Sequence, residues 1–339
     1  MQRIVRRMLA PMAVLATVAM VIAGCGSSTK TGASSSSPTT IRIAYMPDMH
    51  GGAIIAIANH MNYWQKAGVN PEVKSFSAGP PEIQALAAGD LDVAYIGPGA
   101  EWLCATGKCT VLTVDSLNIG DYVLAHPGSD IHSLADLKGK KIGVPLGTSG
   151  QMILDLALQK AGLTEKDIKI QPMDPASVVT AFVGGQLDAA AIWSPLTTQI
   201  EQRVPGTREL IDDAAFFPQY SFPQMWVASN AFVKQHPDAA QKFLRVFIQA
   251  NDYRMTHISQ AVTWTADLAH VPAAGLQAQA TTTKWLSSSQ IQTDNQNGTT
   301  YQWLDGLNQQ FVHMQKMSSP GNAKTFVNVD LFAKAMQGS

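Results

Sequence analysis

The chain has 339 residues, of which 46% are hydrophobic and 14% charged, and its 24 basic and 25 acidic side chains nearly cancel. Nucleic acids and anionic lipids are bound by concentrated positive charge. No basic stripe follows residue 24, so the composition argues against both classes of ligand. About three hundred residues follow Ile41, which is more than a single core usually carries, and two lobes are expected.

The first 25 residues have the layout of a bacterial lipoprotein signal. Three arginines precede an apolar run of about fifteen residues at 8–22, and two small residues stand directly before Cys25. A transmembrane helix needs about twenty apolar residues, so we expect residues 1–24 to be cleaved as a signal peptide and Cys25 to be lipidated. The alternatives are an uncleaved anchor, or a cleaved signal followed by an ordinary cysteine. Residues 25–40, rich in Ser, Thr and Gly, are expected to form a flexible tether.

Two further cysteines, Cys104 and Cys109, lie five positions apart. An extracytoplasmic location permits oxidation, so we expect a small disulfide between them, with two free thiols as the alternative. No third or fourth soft ligand accompanies the pair in the sequence, so no metal site is expected here.

Short apolar runs alternate with amphipathic stretches through the first two-thirds of the chain. The first half is predicted to contain a strand at 41–45, a helix at 52–67, a strand at 72–76, a helix at 82–88 and a strand at 93–96. The second half repeats this order with a strand at 141–144, a helix at 151–161, a strand at 168–171, a helix at 177–183 and a strand at 189–192. Such an order indicates parallel strands covered by helices.

Two sequence echoes support a duplicated plan. The segment QKAGV at 65–69 returns as QKAGL at 159–163, and GDLD at 89–92 returns as GQLD at 185–188. In each echo a glycine is expected to close a helix with a left-handed cap, and an aspartate leads into a buried strand. We therefore interpret the aspartates that end the second echo as structural rather than catalytic.

The rest of the chain is predicted to link the halves and to return to the first. Linking strands are expected at 111–117, 122–126 and 222–229. From residue 231 onward no strand is expected, and amphipathic helices are predicted at 239–254, 258–268, 273–286 and 301–317.

The expected fold class is α/β with two lobes. Residues 41–120 are predicted to form the first part of lobe 1, residues 121–222 lobe 2, and residues 223–339 the helical return to lobe 1. The ligand site is then expected in the cleft between the lobes.

Three glycine-rich turns, at 47–52, 97–100 and 147–150, follow predicted strands. In open α/β sheets ligands bind beyond the carboxyl ends of the strands, and unpaired amides at a helix start bind an oxyanion without any arginine. A simple connection between a strand and a helix explains any one of these turns alone. The convergence of three such turns on one cleft favours a small anion as ligand. The residues expected to bind it in these turns are Gly51, Gly52, Pro98, Gly99, Thr148 and Ser149, with N-capping as the alternative for the last two.

Four further side chains are candidates for the same cleft. Trp193 is expected to form an apolar wall for a carbon chain or ring, with a core position as the alternative. Asp48 and His50 are expected to bind a polar end of the ligand or to cap the first helix. Gln224, in the strand that re-enters lobe 1, is expected to be a hydrogen-bond donor in the cleft.

No catalytic set assembles from the sequence. The eight histidines are scattered, no phosphate-loop Gly-Lys-Ser/Thr motif occurs, no serine sits in a nucleophile elbow, and no histidine pair has metal-ligand spacing. We therefore expect a binding protein rather than an enzyme, with no cofactor and no metal.

In their order along the chain, several segments resemble the nitrate, sulfonate and taurine branch of ABC-transporter substrate-binding proteins over residues 41–234. The matching segments are the signal ending at Cys25, the turn at 48–52, GPPE at 79–82 ahead of GDLD at 89–92, LADLKGKKIGV at 134–144 and AAIWSP at 190–195. The resemblance implies a type II periplasmic-binding-protein fold whose two lobes close on a ligand. It also implies docking on a permease with its ATPase, and we expect the protein to do so as a monomer.

The segment around Trp193 is nearest to that of the taurine and alkanesulfonate group. Gln224 stands where the taurine type is expected to carry an acid for the ligand's amine, which favours an unaminated sulfonate or another small organic anion. The predicted function is therefore the substrate-binding component of an ABC importer for an alkanesulfonate or taurine, attached to the outer face of the cell membrane by its lipid alone.

Alternatives to this function remain open. The other ligands considered are nitrate, bicarbonate, an aromatic acid and a thiamine precursor, and a sensory lipoprotein on the same fold is the alternative role. An enzyme with the same two lobes would need a cytoplasmic location, and the predicted lipoprotein signal argues against that location.

Overall fold

The computed structural model describes residues 37–338. The predicted signal peptide, Cys25 and most of the predicted tether therefore lie outside the described residues. Over the described part of the chain, no helix combines the length and the apolar character that crossing a membrane requires.

Strands and helices alternate through the first two-thirds of the described chain, and helices dominate the rest. The strands are β1 (Thr39–Tyr45), β2 (Val69–Ser75), β3 (Val93–Ile96), β4 (Thr110–Asn118), β5 (Asp121–Ala125), β6 (Lys141–Val144), β7 (Lys169–Pro172), β8 (Ala189–Trp193), β9 (Arg208–Asp212), β10 (Pro223–Ala228) and β11 (Thr283–Trp285). The helices are α1 (Gly51–His60), α2 (Tyr63–Lys66), α3 (Gly79–Ala88), α4 (Glu101–Ala105), α5 (Ser149–Lys160), α6 (Pro175–Val183), α7 (Leu196–Arg203), α8 (Asn230–Gln235), α9 (Pro237–Thr256), α10 (Ile258–Ala269), α11 (Ala273–Thr282), α12 (Ser288–Asn297), α13 (Thr299–His313) and α14 (Val329–Gln337).

The strands form two sheets, with the orders β11-β4-β10-β3-β1-β2 and β7-β6-β8-β5-β9. In the first sheet β1 runs parallel to β2 and β3, and in the second β6 runs parallel to β7 and β8. One antiparallel strand extends each parallel triple, β10 beside β3 and β5 beside β8. The chain therefore builds the same four-strand pattern twice, as the sequence echoes predict.

The aspartates of the second echo occupy equivalent places in the two sheets. The Asp92 carboxylate accepts a hydrogen bond from the Arg42 amide at 2.8 Å, and the Asp188 carboxylate accepts one from the Lys141 amide at 2.7 Å. Each aspartate thereby ties the strand that follows it to the central strand of its parallel triple. Gly89, the first residue of the GDLD segment, has φ +81, a left-handed conformation that glycine adopts without steric cost.

The chain passes from the first sheet to the second between β4 and β5 and returns between β9 and β10. Asp213 binds the two crossings together, because its Oδ2 accepts hydrogen bonds from the amides of Gly120 (3.1 Å) and Asp121 (3.0 Å). The Asn118 amide also donates to the Phe222 carbonyl at 2.9 Å. The two crossings therefore lie side by side at one end of both sheets.

The helix predicted at 52–67 is divided. It ends at His60, and α2 begins only at Tyr63, because Asn62 adopts a left-handed conformation with φ 56. Asparagine enters this conformation at lower cost than most side chains, and the division lets α2 turn back toward β2.

The prediction that no strand follows residue 231 is wrong. The helix expected at 273–286 ends at Thr282, and Thr283–Trp285 form β11, which pairs antiparallel with β4. A β-branched and an aromatic residue favour extended backbone, and β4 offers them its outer edge. The strand β9 was also not among those predicted.

The C-terminal helices contact the layers of both sheets. Helices α9 and α10 pack on α1, as a return to lobe 1 requires, but α11 packs on α7 of the second half. Gln310, in α13, donates to Asp155 of α5 at 2.5 Å, and Phe311 shares an apolar cluster with Met152 and Leu156. Residues 223–339 therefore contact both lobes, whereas they were expected to pack on lobe 1.

Cys104, in α4, and Cys109, directly before β4, form a disulfide with their Cα atoms 4.5 Å apart. Both side chains are buried. The bridge closes the tight loop at Gly107, where φ is +83.

Candidate functional site

A pocket between the two sheets collects polar side chains from both, and we call it the polar pocket. It leaves about 20 Å³ for the centres of water molecules, which is room for about one. Six of the predicted ligand-binding residues line it: Asp48, His50, Thr148, Ser149, Trp193 and Gln224. The rest of its described wall consists of Met46, Gly79, Pro80, Tyr95, Gly97, Ala100, Asn118, Asp121 and Gln279.

Gly51 and Gly52, also predicted to bind the ligand, begin α1 beneath two neighbouring side chains. A Cβ on Gly51 would lie 2.8 Å from the ring of Tyr95, and a Cβ on Gly52 would lie 2.9 Å from Cγ2 of Thr265. Neither glycine belongs to the described wall of the polar pocket. In the structure both serve the close packing of α1.

Pro98 and Gly99, the remaining two predicted residues, lie in the short turn after β3 and are buried. Gly99 rests directly on the peptide between Thr148 and Ser149, because a Cβ at this position would fall 2.0 Å from the nitrogen of Ser149. No side chain fits there. The turn therefore sets how closely the second sheet approaches the first.

In the turn after β1, the carboxylate of Asp48 pairs with backbone amides of the same turn. Asp48 Oδ1 accepts hydrogen bonds from the amides of His50 (3.0 Å) and Gly51 (2.9 Å), and the Asp48 carbonyl accepts one from the Gly52 amide (3.0 Å). The Met49 amide donates to Gln279 Oε1 at 2.7 Å. These amides are already paired, so the anion cradle expected near Gly52 is not available there. Burial raises the pKa of Asp48 to about 7.

The turn after β6 differs, because two of its backbone amides are unpaired. Within the described residues, the amides of Ser149 and Gly150 at the start of the twelve-residue helix α5 have no hydrogen-bond acceptor. The Thr148 hydroxyl donates to the Pro145 carbonyl at 2.6 Å, so its hydrogen is not available to a ligand. The partial positive charge at this helix start therefore comes from backbone amides alone.

A buried network holds His50. Its Nδ1 lies 2.9 Å from Ser116 Oγ, and Ser116 Oγ donates to Asp115 Oδ1 at 2.7 Å. Asp115 Oδ2 accepts from Nη2 of Arg254 at 3.0 Å, and both partners of this ion pair are fully buried. The guanidinium also lies 4.0 Å above the ring of Trp285. Burial, together with the charge of Arg254, holds the pKa of His50 well below its ordinary value, so the imidazole is neutral.

Two carboxyl groups meet at the crossing between the sheets. Asp121 and Asp213 are completely buried, and burial raises the pKa of both, that of Asp121 to about 6. The hydroxyl of Ser149 is a hydrogen-bond partner of Asp121. Asp48 and Asp121 are the two carboxyl groups of the described wall, and no Lys or Arg is among the residues that line the polar pocket.

Gln224, on β10, receives a hydrogen bond at Oε1 from the hydroxyl of Tyr95 at 2.5 Å. The phenol therefore fixes the orientation of the amide group. The Nε2 group is the end of Gln224 that remains to donate, and its role as a ligand donor stays a prediction.

A second cavity adjoins the polar pocket, and we call it the apolar chamber. It leaves about 170 Å³ for the centres of water molecules, and it shares Met46, Asp48 and Trp193 with the polar pocket. Its further wall consists of Pro47, Ser77, Pro175, Ala176, Pro195, Leu196, Gln199 and Val271. Trp193 thus stands between a polar and an apolar cavity.

Residues 50–261 match the family described as NMT1/THI5 like. The chain belongs to this family. It is 41% identical to a putative binding protein of Brucella abortus over 86% of this chain and 91% of the relative. It is 29% identical to a putative aliphatic sulfonates-binding protein of Bacillus subtilis over 75% of this chain and 77% of the relative.

Among solved structures, the chain is similar to the alkanesulfonate-binding protein SsuA from Xanthomonas axonopodis pv. citri bound to MOPS. The TM-score is 0.69 at 20% sequence identity, and the match covers 86% of this chain and 99% of SsuA. The predicted α/β periplasmic-binding-protein fold is confirmed, and so is the resemblance to the sulfonate and taurine branch.

The family match contains most of the polar pocket but not all of it. Met46, Asp48 and Gln279 line the pocket outside residues 50–261. Gln279 accepts from the Met49 amide and donates from Nε2 to the Ser194 carbonyl at 2.9 Å, so it joins a turn of each sheet.

Sequence reasoning missed three polar residues of the wall. Asn118 and Asp121 flank the crossing between the sheets, and the polar segment NIGD at 118–121 was the available signal. Gln279 sits inside a helix of ordinary composition, and nothing in its surroundings in the sequence marks it.

Proposed function

We propose that the protein is the substrate-binding component of an ABC importer. It works on the outer side of the cell membrane, attached by a lipid on Cys25, and delivers its ligand unchanged to a permease with its ATPase. The observation that carries this proposal is a small pocket between two lobes, lined by buried polar groups that lack partners within the described chain. The names of the relatives, which are binding proteins, support it.

The ligand class that we propose is a small organic sulfonate, an alkanesulfonate or taurine. The free amides at the start of α5 provide a place for the sulfonate oxygens without a basic side chain. Nε2 of Gln224 is a further donor, and the apolar chamber beside Trp193 has room for a carbon chain. The Bacillus relative and SsuA, both named for binding sulfonates, support the same class.

The test is a calorimetric binding panel on the full chain in detergent, with ethanesulfonate, taurine, nitrate and bicarbonate. We expect a sulfonate to bind in a one-to-one complex and nitrate to bind more weakly. Uptake of the labelled ligand by the native host should fall when the gene is deleted. Unchanged uptake together with no binding in the panel would contradict the proposal.

A further inference from the structure

The helix α11 is attached to lobe 1 through both of its neighbours in the chain. The helix before it, α10, packs on α1, and the strand after it, β11, pairs with β4 at the edge of the first sheet. Two side chains of β11 also bind the end of α11. The Thr283 hydroxyl donates to the Gln279 carbonyl at 2.8 Å, and Trp285 Nε1 donates to the Ala280 carbonyl at 3.0 Å. The first sheet therefore sets the position of α11.

The same helix also contacts lobe 2. It packs on α7, and Gly275 lies against the turn after β8, where a Cβ on this glycine would be 2.9 Å from Cβ of Pro195. Gln279 reaches the same turn, because its Nε2 donates to the Ser194 carbonyl at 2.9 Å. The Ser194 amide donates in turn to the Gly120 carbonyl at 2.8 Å, at the crossing between the sheets. Helix α11 thus extends from lobe 1 and is hydrogen-bonded to lobe 2.

Residues 271–282, which we call the strap, form part of the wall of both cavities. Val271 lines the apolar chamber, and Gln279 lines the polar pocket. Gln279 is only 1% exposed, so water cannot easily replace its partners. Breaking a buried hydrogen bond costs more than breaking an exposed one, because the separated groups stay without a partner. The contacts of Gln279 therefore affect how readily the two lobes separate.

The two hydrogen bonds of the Gln279 side chain have different consequences. The bond from the Met49 amide to Oε1 stays within lobe 1 and orients the side chain. The bond from Nε2 to the Ser194 carbonyl joins the lobes, so a movement of these two turns away from each other must break it. Glutamine makes both bonds because its amide group carries an acceptor and a donor, whereas a carboxylate only accepts.

We propose that the strap joins lobe 1 to lobe 2 across the cleft through the hydrogen bond from Gln279 to Ser194, and that this bond slows the release of a bound ligand. Gln279 is then a positioning residue that acts through the lobes and does not select one ligand over another. The inference rests on the proposed function, since it concerns the release of the ligand of that site, and it adds a residue that controls the dissociation rate of every ligand.

The first experiment measures dissociation rates by stopped-flow fluorescence on the full chain in detergent, with taurine and ethanesulfonate as probes. In Gln279→Met, which removes both hydrogen bonds at similar side-chain size, each bound probe should dissociate about fivefold faster or more. The matched control is Gln277→Met, at an exposed glutamine of the same helix, which should behave as wild type. Equal rates in the two variants would overturn the inference, and so would an acceleration confined to one of two bound probes.

The second experiment restores the inter-lobe bond with a different donor. In Gln279→Glu the new carboxyl group is buried, so at about pH 5 it is protonated and can both accept from Met49 and donate to Ser194. Dissociation at this pH should therefore be close to the wild-type rate, and slower than from Gln279→Met at the same pH. Equally fast dissociation from both variants would overturn the inference.

The third experiment changes the strap without changing the described wall of either cavity, to which Gly275 does not belong. In Gly275→Ala the new Cβ would press on Pro195 and push the strap away from lobe 2, so both probes should dissociate faster than from the wild type. Gly306→Ala, whose Cβ would meet nothing within 4 Å, is the control. The same rate in both variants would contradict the proposed role of the strap.

A fourth measurement needs no ligand. Hydrogen exchange followed by mass spectrometry should show faster exchange of the α11 amides in Gln279→Met than in the wild type or in Gln277→Met. Unchanged exchange would overturn the inference whatever the ligand is. Faster exchange together with no binding of either sulfonate would support the inter-lobe bond and contradict the sulfonate class.

Discussion

The turns after β1 and β6 hold the same place in the duplicated fold, yet their hydrogen bonding is opposite. In the first, the side chains of Asp48 and Gln279 accept from the amides of Met49, His50 and Gly51, at and just before the start of α1. In the second, the amides of Ser149 and Gly150 at the start of α5 have no acceptor within the described chain. A repeated backbone plan therefore provides one turn whose amides are already paired and one whose amides remain available to a ligand.

The largest expected effect comes from breaking the contact between the second turn and the first sheet. In Gly99→Ala the new Cβ would lie 2.0 Å from backbone atoms of Thr148 and Ser149, so the two sheets must move apart. We expect ligand affinity to fall at least a hundredfold, about 2.7 kcal/mol, with a larger radius of gyration by X-ray scattering. Gly306→Ala, whose Cβ would meet nothing within 4 Å, is the control. Wild-type affinity in Gly99→Ala would contradict this reading.

An intermediate effect is expected from removing the charge of the first turn. The pKa of Asp48 is raised by burial from its ordinary 3.8 to about 7, with Asp115 raising it and Arg254 lowering it. The folded protein therefore holds this proton more tightly than the unfolded chain, and stability is lost as the pH rises from about 4 to about 7. Asp48→Asn, which keeps an acceptor for the amides, should lose less stability than the wild type between pH 5 and pH 8.

Chemical denaturation at the two pH values measures that difference, which should be on the order of a few kcal/mol. Asp121, whose pKa burial raises to about 6, contributes in the same direction, so the variant retains a reduced slope. Identical slopes for wild type and variant would show that Asp48 does not titrate in this range.

The smallest effect is expected from removing the hydroxyl of Thr148, in the turn after β6. Its hydroxyl donates to the Pro145 carbonyl, so Thr148→Ala should lower the free energy of unfolding by about 1 kcal/mol. Ligand affinity should change less than threefold, because the amides of α5 remain. Thr148→Ser, which keeps the hydroxyl, should behave as wild type. A tenfold loss of affinity in Thr148→Ala alone would restore the hydroxyl as a ligand donor.

Local patterns predicted what local interactions determine. The parallel triples and the echo aspartates follow from alternating apolar runs and from short repeats, and both are present in the sheets. The break at Asn62 and the strand at Thr283–Trp285 were not predictable in this way. The first depends on one residue's backbone conformation, and the second depends on the free edge of a distant strand.

For the candidate site, the sequence predicted which residues lie in the cleft but not their hydrogen bonds. Residue type placed Asp48 and Thr148 in the cleft, but it did not reveal that one consumes amides of its own turn and that the other donates to Pro145. Whether a group in the cleft is a donor or an acceptor depends on its partners. Those partners are fixed by packing across 66 positions of sequence for His50 and Ser116, which no local pattern records.

The small size of the polar pocket has a kinetic consequence. With room for about one water molecule, the pocket must widen to hold a larger solute, and we expect the two sheets to move apart when it does. The observed binding rate should then rise with ligand concentration and level off at the rate of opening, a value common to every ligand. Departure needs the same motion, so a permease could empty the protein by drawing its two lobes apart, without any group of its own competing for the solute.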